Sequence, residues 1–514
     1  MSNEMRNPAT AWLIRLRLPL IFILWALAVW LLAMPDNLVV DWRGWRQADT
    51  QTIAVNALRP EAQFSEPLIN WSRATQPRPV EAEFQLYTAL ISIFLRLDAE
   101  AVWPGQLISL LSLSLAGWAL FVWLRGRYGQ TAALGGVLCF LAGRAVLFSA
   151  STVAPDSLAL ACLVGGWIGF DRWLRSNALA DWLIWVTLLT LAALMKVVNL
   201  QIGIATFLLV AMTDAKRLYS PMLWLGWIVM LGYNLSQLQH GANIFAETGL
   251  TFGIASGGDS KFPTLQSLLK PGFYLALMRM SLAWGVSVLG VGALILLFWR
   301  RAITAELFAL GVAHAVGLLV ALRYTVNVYY GTNYHAPGSL IGAIAVAVLL
   351  AHFACAKPAP PALQSRWQRW LPTLVLAAVA LTAADAWRAR LTLNTRLDNG
   401  DAAKLLVLGQ TAAMRIPPGS AIAVRSAARR LADDWNGGVN NYEDPRLFWV
   451  LKSTGWAIAL DDTEAADLAA AHAGGAQWFI DAYPPAGENA MTAWLAAHAQ
   501  EKIRTPEGLL YRLR

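Results

Sequence analysis

The sequence predicts a polytopic α-helical membrane protein that carries a small soluble α/β domain at its C-terminal end. Three observations predict it. The 514 residues are 57% hydrophobic and only 14% charged, with 25 tryptophans and a mean hydropathy of +0.47, a composition suited to lipid. Apolar runs of membrane-spanning length recur along most of the chain, separated by short basic loops. From Arg388 onward the composition turns ordinary, and fourteen Lys and Arg balance fourteen Asp and Glu.

A span needs roughly 20 apolar residues. Runs near 18–34, 104–124, 131–149, 155–174, 181–197, 199–213, 221–238, 272–299, 303–322, 337–355 and 371–387 meet that need, which makes about eleven transmembrane helices. With a cytoplasmic N-terminus, Arg125 and Arg127, Arg172 and Arg175, Lys216 and Arg217, Arg300 and Arg301, and Arg366 and Arg369 all fall on the cytoplasmic side, as the basic-loop bias requires. Phe84–Leu97 is apolar but too short to cross comfortably, and is read as an interfacial or re-entrant helix. Arg15 and Arg17 before Leu18–Leu32 resemble a signal peptide, but the apolar spans that follow make this an uncleaved first helix.

Odd parity puts the C-terminal end outside. Residues 1–387 form the transmembrane domain, with 35–103 as its first outward loop, and residues 388–514 a periplasmic domain. In the latter, Ala402–Met414 and Thr463–Ala473 have helix-like patterns, whereas Ala421–Arg425, Gln477–Ile480 and Leu509–Leu513 read as strands between Gly, Pro and Asp breaks.

Several function classes are excluded. The net charge of +8 belongs to the membrane part and reflects topology, so no nucleic-acid partner is expected. Cys139, Cys162 and Cys355 lie in apolar runs without metal spacing and read as small core residues. No His, Cys or carboxylate spacing specifies a metal site, and neither a P-loop nor a dinucleotide fingerprint is present. No cofactor is expected, and a divalent cation is not indicated.

Charge inside membrane helices is expensive, so its depth is informative. Arg144, Asp156, Lys196, Arg279 and Arg323 all approach the outer face on this map, and only His314 lies near the middle of a span. A site at the outer surface fits this distribution better than a path across the bilayer, although arginines near helix ends also snorkel to ordinary lipid phosphates. Repeated halves and broken helices, which mark many transporters, are not evident in the sequence.

The first outward loop has the densest functional signal. It reads Asp41-Trp-Arg-Gly-Trp-Arg-Gln-Ala-Asp-Thr50 and continues to Glu83, supplying Asp41, Asp49, Glu61, Glu66, Glu81 and Glu83 with Arg43, Arg46, Arg73 and Arg78. Moving a sugar from a phosphate carrier needs a carboxylate to take the acceptor's proton and cations to stabilise the leaving phosphate. Asp49 reads as the cap of a helix over Asp49–Leu58, and capping alone would also explain it. Glu83 and Tyr87, four apart, are placed on one face of the following helix. Thr325–Pro337 reads as an outer loop carrying Tyr329, Tyr330, Tyr334 and His335. An aromatic belt gives the same tyrosine signature, whereas His335 can donate to a phosphate or a sugar hydroxyl.

Trp45-Arg46-Gln47-Ala48-Asp49-Thr50, Glu83-Phe84-Gln85-Leu86-Tyr87, Ala154-Pro155-Asp156-Ser157-Leu158 and Tyr334-His335-Ala336-Pro337 follow one another in order and topological place. In this the chain resembles the GT-C superfamily of membrane glycosyltransferases that use polyprenyl-phosphate sugars, the group of the protein O-mannosyltransferases and the lipid A aminoarabinose transferase. The resemblance implies juxtamembrane helices in the first outward loop, with an acidic loop residue as catalytic base. That residue maps onto Asp49, with Asp41 as its rival. It further implies a polyprenyl-phosphate sugar as donor and a glycan, lipid or protein as acceptor, in a bacterial inner membrane. Arg46, Arg73, Arg78, Lys196 and Arg323 are the candidates to hold phosphate, and Glu83, Tyr87, Asp156, Tyr334 and His335 those to orient substrate. Two departures stand out: Thr50 follows the acid where the better-known members commonly have Glu, and Glu81–Gln85 replaces a Lys-Pro-Pro segment. A lipid or polysaccharide transporter, a glycan polymerase or ligase, and a non-catalytic lipid-binding scaffold are the rival readings.

Overall fold

The computed structural model describes residues 19–514 except 36, 42, 255–264, 321–324, 327, 356–360, 398–400, 427–442, 460–463 and 486. Its chain divides into two compact units. One comprises Met1–Met34, Gln106–Asn234 and Tyr274–Leu391, and the other Pro35–Gly105, Leu235–Phe273 and Thr392–Arg514. Pro35–Gly105 and Thr392–Arg514, more than 280 residues apart in sequence, thus share one unit.

The first unit is helical. Among the described residues, Trp103–Tyr128 and Thr332–Ala354 are long and apolar enough to cross a membrane, and up to four spans result if each of two bent pairs counts as one. The bends are departures from the sequence reading, which expects continuous helices there and no broken ones. The run at 131–149 divides at Gly143, whose backbone is extended, into Gln130–Ala142 and Arg144–Ala150 at 63°. The run at 272–299 divides before Ser287, which takes a left-handed φ of 68°, and turns by 102°. Arg144 therefore starts a short helix instead of lying one turn from the end of a long one, and it ion-pairs with Asp385 at 2.6 Å.

Two basic helix ends and one acidic helix start meet in this unit. Arg127, at the end of Trp103–Tyr128, reaches Asp171 (2.9 Å) and Glu306 (3.1 Å), and Arg175 bonds Asp171 as well. Trp123 and Trp167 donate their indole N–H groups to Asp171 and Glu306 at 2.7 and 2.9 Å. Both carboxylates are buried, and their cations and indoles satisfy them, as burial of charge demands.

The second unit is built on a five-stranded mixed sheet. In chain order, β1 (Leu68–Ile69) and β2 (Arg78–Pro79) form a small antiparallel pair. β3 (Ala421–Arg425), β4 (Thr454–Ala457), β5 (Trp478–Asp481), β6 (Ala499–Arg504) and β7 (Leu509–Leu513) make the main sheet, in the order β4-β3-β5-β7-β6. β3 runs parallel to both β4 and β5, whereas β7 is antiparallel to β5 and β6. All of β3 and β5 is buried, as expected for parallel strands covered on both faces. Ile422 and Val424 point to a core that also contains Ile53, Ile69 and Trp71 from the first loop. Ala423 and Phe479 point to the opposite core, with Leu468, Met491 and Leu495. β4 and β6 were not visible in the sequence because neither alternates clearly.

Phe84–Leu97 contains a ten-residue helix, Leu86–Leu95. At 1.5 Å per residue it is about 15 Å long, half a bilayer core. It begins after Glu83, so the shared helical face expected for Glu83 and Tyr87 does not form.

Candidate functional site

The first loop enters through a 3-10 turn, Leu38–Val40, capped by the Asn37 side chain, which accepts from the Val39 N–H at 2.9 Å. Gly44 N–H then donates to Asp41 O at 2.7 Å and starts a helix running Gly44–Asn56. A Cβ at Gly44 would sit 2.3 Å from the Val39 carbonyl oxygen, so the tight entry requires glycine. Asp49 consequently lies in the second turn of the helix. The expected cap at Asp49 is displaced because the turn before Gly44 nucleates the helix five residues earlier.

This helix is buried on nearly every side, and Gln47, Asp49, Thr50, Gln51 and Thr52 are among its buried residues. Asp49 is 2% exposed, and one carboxylate oxygen accepts from the Trp71 indole N–H at 2.8 Å. Among the described residues its second oxygen receives no protein hydrogen bond. Burial pushes the Asp49 carboxyl up to about 8. The Trp71 bond and Arg46 oppose the rise, while Asp444 and Glu443 add to it. A carboxylate of this kind holds a proton far more tightly than a solvated one, which suits general-base chemistry near neutrality.

The loop arginines divide by what they touch. Arg46, three residues before Asp49, pairs with Glu83 at 2.6 Å and lies over the Phe252 ring, 5.2 Å from its centroid. Arg73 pairs with Glu443 at 2.7 Å, and Glu443 is itself pushed up by burial, with Arg73 opposing. Arg78 lies half-buried in β2, and among the described residues its side chain makes no ion pair. Asp41 is 3% exposed, accepts from the Gln47 side-chain amide and stands just before the helix N-terminus, where negative charge is favoured. Tyr87 is buried with its hydroxyl donating to Gly105 O at 2.8 Å.

The remaining candidates lie in the first unit. Asp156 opens the helix Asp156–Ser176, and Lys196, at the break after Leu179–Met195, reaches it at 3.8 Å. The segment expected to be a loop around Tyr334 and His335 is helical over Val328–His335. Tyr334 is half-buried, whereas His335 is fully buried, with Nε2 2.8 Å from Thr325 O and Nδ1 3.4 Å from the Ser281 hydroxyl. Arg323 lies outside the described residues. Trp71, Glu443 and Asp444 were missed in the sequence: one of 25 tryptophans carries no signal by itself, and two acids in a soluble segment look like surface.

Comparison with known proteins follows the same lines. Residues 85–235 match the family model described as dolichyl-phosphate-mannose-protein mannosyltransferase. The matched stretch contains Tyr87, Asp156 and Lys196 and begins after Asp49. Among solved structures, ArnT from Cupriavidus metallidurans bound to undecaprenyl phosphate is similar at 13% identity and a TM-score of 0.56, over 98% of each chain. Its apo state gives 0.57 at the same identity and coverage. AglB, an oligosaccharyltransferase from Archaeoglobus fulgidus, in complex with an inhibitory peptide and a dolichol-phosphate, is similar at 10% identity and a TM-score of 0.50, over 97% of this chain and 74% of that one. No curated protein matches the chain by sequence. The chain thus has the fold of these solved structures, and the family match covers residues 85–235 of it.

Proposed function

We propose that the chain moves a single sugar from a polyprenyl-phosphate donor to a hydroxyl of a glycan, lipid or protein, at the periplasmic face of a bacterial inner membrane. In this reading eleven spans and a cytoplasmic N-terminus place residues 35–103 and 388–514 outside. The acceptor oxygen attacks the anomeric carbon as the bond to phosphate breaks, which inverts that centre. The acceptor's proton passes to Asp49, and polyprenyl phosphate leaves. The observation that carries the reading is the buried Asp49 carboxylate, held through one oxygen by Trp71, with the other oxygen not bonded to protein among the described residues. With a value of about 8, roughly a tenth of it is ionised at pH 7. Asp41 is the second candidate base.

Arg78 is the loop cation we assign to the donor phosphate, because Arg46 and Arg73 already hold Glu83 and Glu443. Glu83 orients substrate through Arg46. Lys196, Asp156, Tyr334 and His335 are assigned to sugar or carrier contacts on their own unit. The two bent helix pairs favour a second reading, a lipid or polysaccharide transporter. Mass spectrometry of polyprenyl-phosphate lipids from cells expressing the native chain or D49N separates the two. Accumulation of a carrier bearing one sugar in D49N supports the transferase. An unchanged lipid pool together with loss of a surface glycan supports transport.

A further inference from the structure

Asp49 is fixed by Trp71, and Trp71 belongs to no helix or strand. It sits in the connection between β1 and β2, where the backbone is gripped from outside. Gly455 in β4 donates its N–H to Asn70 O and accepts from Arg73 N–H, both at 2.9 Å, and the Thr454 hydroxyl donates to Thr75 O at 2.7 Å. Gly455 has φ +151°, and a Cβ there would lie 1.8 Å from the Ile422 carbonyl oxygen, so glycine is required for this approach. Arg73 adopts a left-handed φ of 55°, a conformation that persists in a non-glycine residue only when its surroundings hold it. The surroundings are the Gly455 bond and the Glu443 ion pair. Asp444, fully buried, forks onto Arg446 at 2.9 and 3.1 Å and anchors the chain immediately after Glu443.

We propose that the C-terminal sheet is a positioning part of the Asp49 site: the Arg73–Glu443 pair and the two Gly455 hydrogen bonds set Trp71, and Trp71 sets the carboxylate. This rests on the reading of Asp49 as catalytic base. Glu443 and Arg73 touch no reacting atom and are positioning residues. A misplacement of about 1 Å can cost on the order of 10²-fold in rate, so a clasp acting through one intermediate side chain should matter less, roughly 10-fold.

The test uses full-length protein in detergent or nanodiscs. E443Q is expected to speed amide exchange across Asn70–Thr75 and to lower kcat by roughly 10-fold with the donor KM within about twofold. It should also move the acid limb of the kcat profile to lower pH. The charges felt by Asp49 are Arg46, Glu443 and Asp444, and removing one negative charge eases its ionisation. The charge-swapped double variant R73E/E443R should regain most of the lost rate. Wild-type exchange, kcat and pH profile in E443Q overturn the proposal, and so does a charge swap that recovers nothing. R73Q, read the same way, covers the case in which E443Q does not fold. Full turnover by D49N would sink the reading of Asp49 whatever E443Q does, whereas full turnover by E443Q beside an inactive D49N sinks the clasp alone.

Discussion

Each unit of the molecule buries carboxylates, and the two do so in opposite ways. In the helical unit, Asp171 and Glu306 receive two arginines and two indoles, so that each negative charge is answered. In the other unit, Asp49 receives one indole. Arg46, which favours its ionisation, is engaged by Glu83, and the acids Glu443 and Asp444 oppose its ionisation. A closed network of this kind ties helix ends together and leaves nothing for a substrate to contact. A carboxylate held in place yet short of compensation has a raised proton affinity and an oxygen to offer, which is what a base needs. Burial alone does not distinguish structure from chemistry; compensation does.

The largest effect that would break this comparison is on turnover. D49N keeps the size of the side chain and an oxygen for Trp71 but cannot take a proton, so kcat in a direct transfer assay should fall about 10²- to 10⁴-fold. Full turnover in D49N with loss in D41N would transfer the role to Asp41. On the other side, E306A leaves Arg127 short of a buried partner, a change that costs about 3–5 kcal/mol in buried ion pairs. Its expected signature is a lower thermal midpoint and yield in detergent with kcat per folded molecule unchanged. A Glu306 variant that is stable but slow would erase the distinction between the two sites.

W71F sharpens the contrast by removing one bond. Hydrogen bonds to charged groups contribute about 1.5–3 kcal/mol, and the Trp71 bond favours the ionised form of Asp49. Its loss should raise the proton affinity further and move the acid limb of the pH–rate profile upward. That direction is opposite to the one expected for E443Q. R78Q should act on binding, raising the donor KM by roughly 10-fold, the scale of one lost charge-assisted contact, with kcat little changed.

The sequence showed the fold class where physics is local. Apolar runs placed most helices of the first unit to within a few residues, and the run at 84–97 was recognised as too short because length alone decides that. The bends at Gly143 and Ser287 were not legible, since each depends on one backbone conformation inside an unbroken apolar pattern. The position of Asp49 in a polar helix of the first loop was legible, but its helix start was not. Gly44 begins the helix through a close approach to Val39 that no propensity encodes. The surroundings of Asp49 were invisible for a stronger reason: Trp71 and Glu443 reach it through pairings separated by up to 370 residues in sequence, and such contacts leave no periodic trace.

The smallest predicted effect tests the same contrast through stability. The Asp49 carboxyl goes from about 4 when exposed to about 8 in the folded protein, so the folded state prefers the protonated form. Its contribution to stability is fully present below the unfolded value, erodes as pH rises, and is lost above the folded value. D49N does not titrate and keeps its stability throughout. The thermal midpoint of D49N minus that of the native chain should therefore grow from pH 4 to pH 8 and then level off, a matter of a few degrees. Midpoints that run parallel across this range would mean that the Asp49 charge is answered after all, as that of Asp171 is by Arg127, Arg175 and Trp123. Carbonyl-stretch infrared difference spectra of the native chain and D49N give the independent check, because a protonated Asp49 at pH 7 contributes a band that D49N lacks.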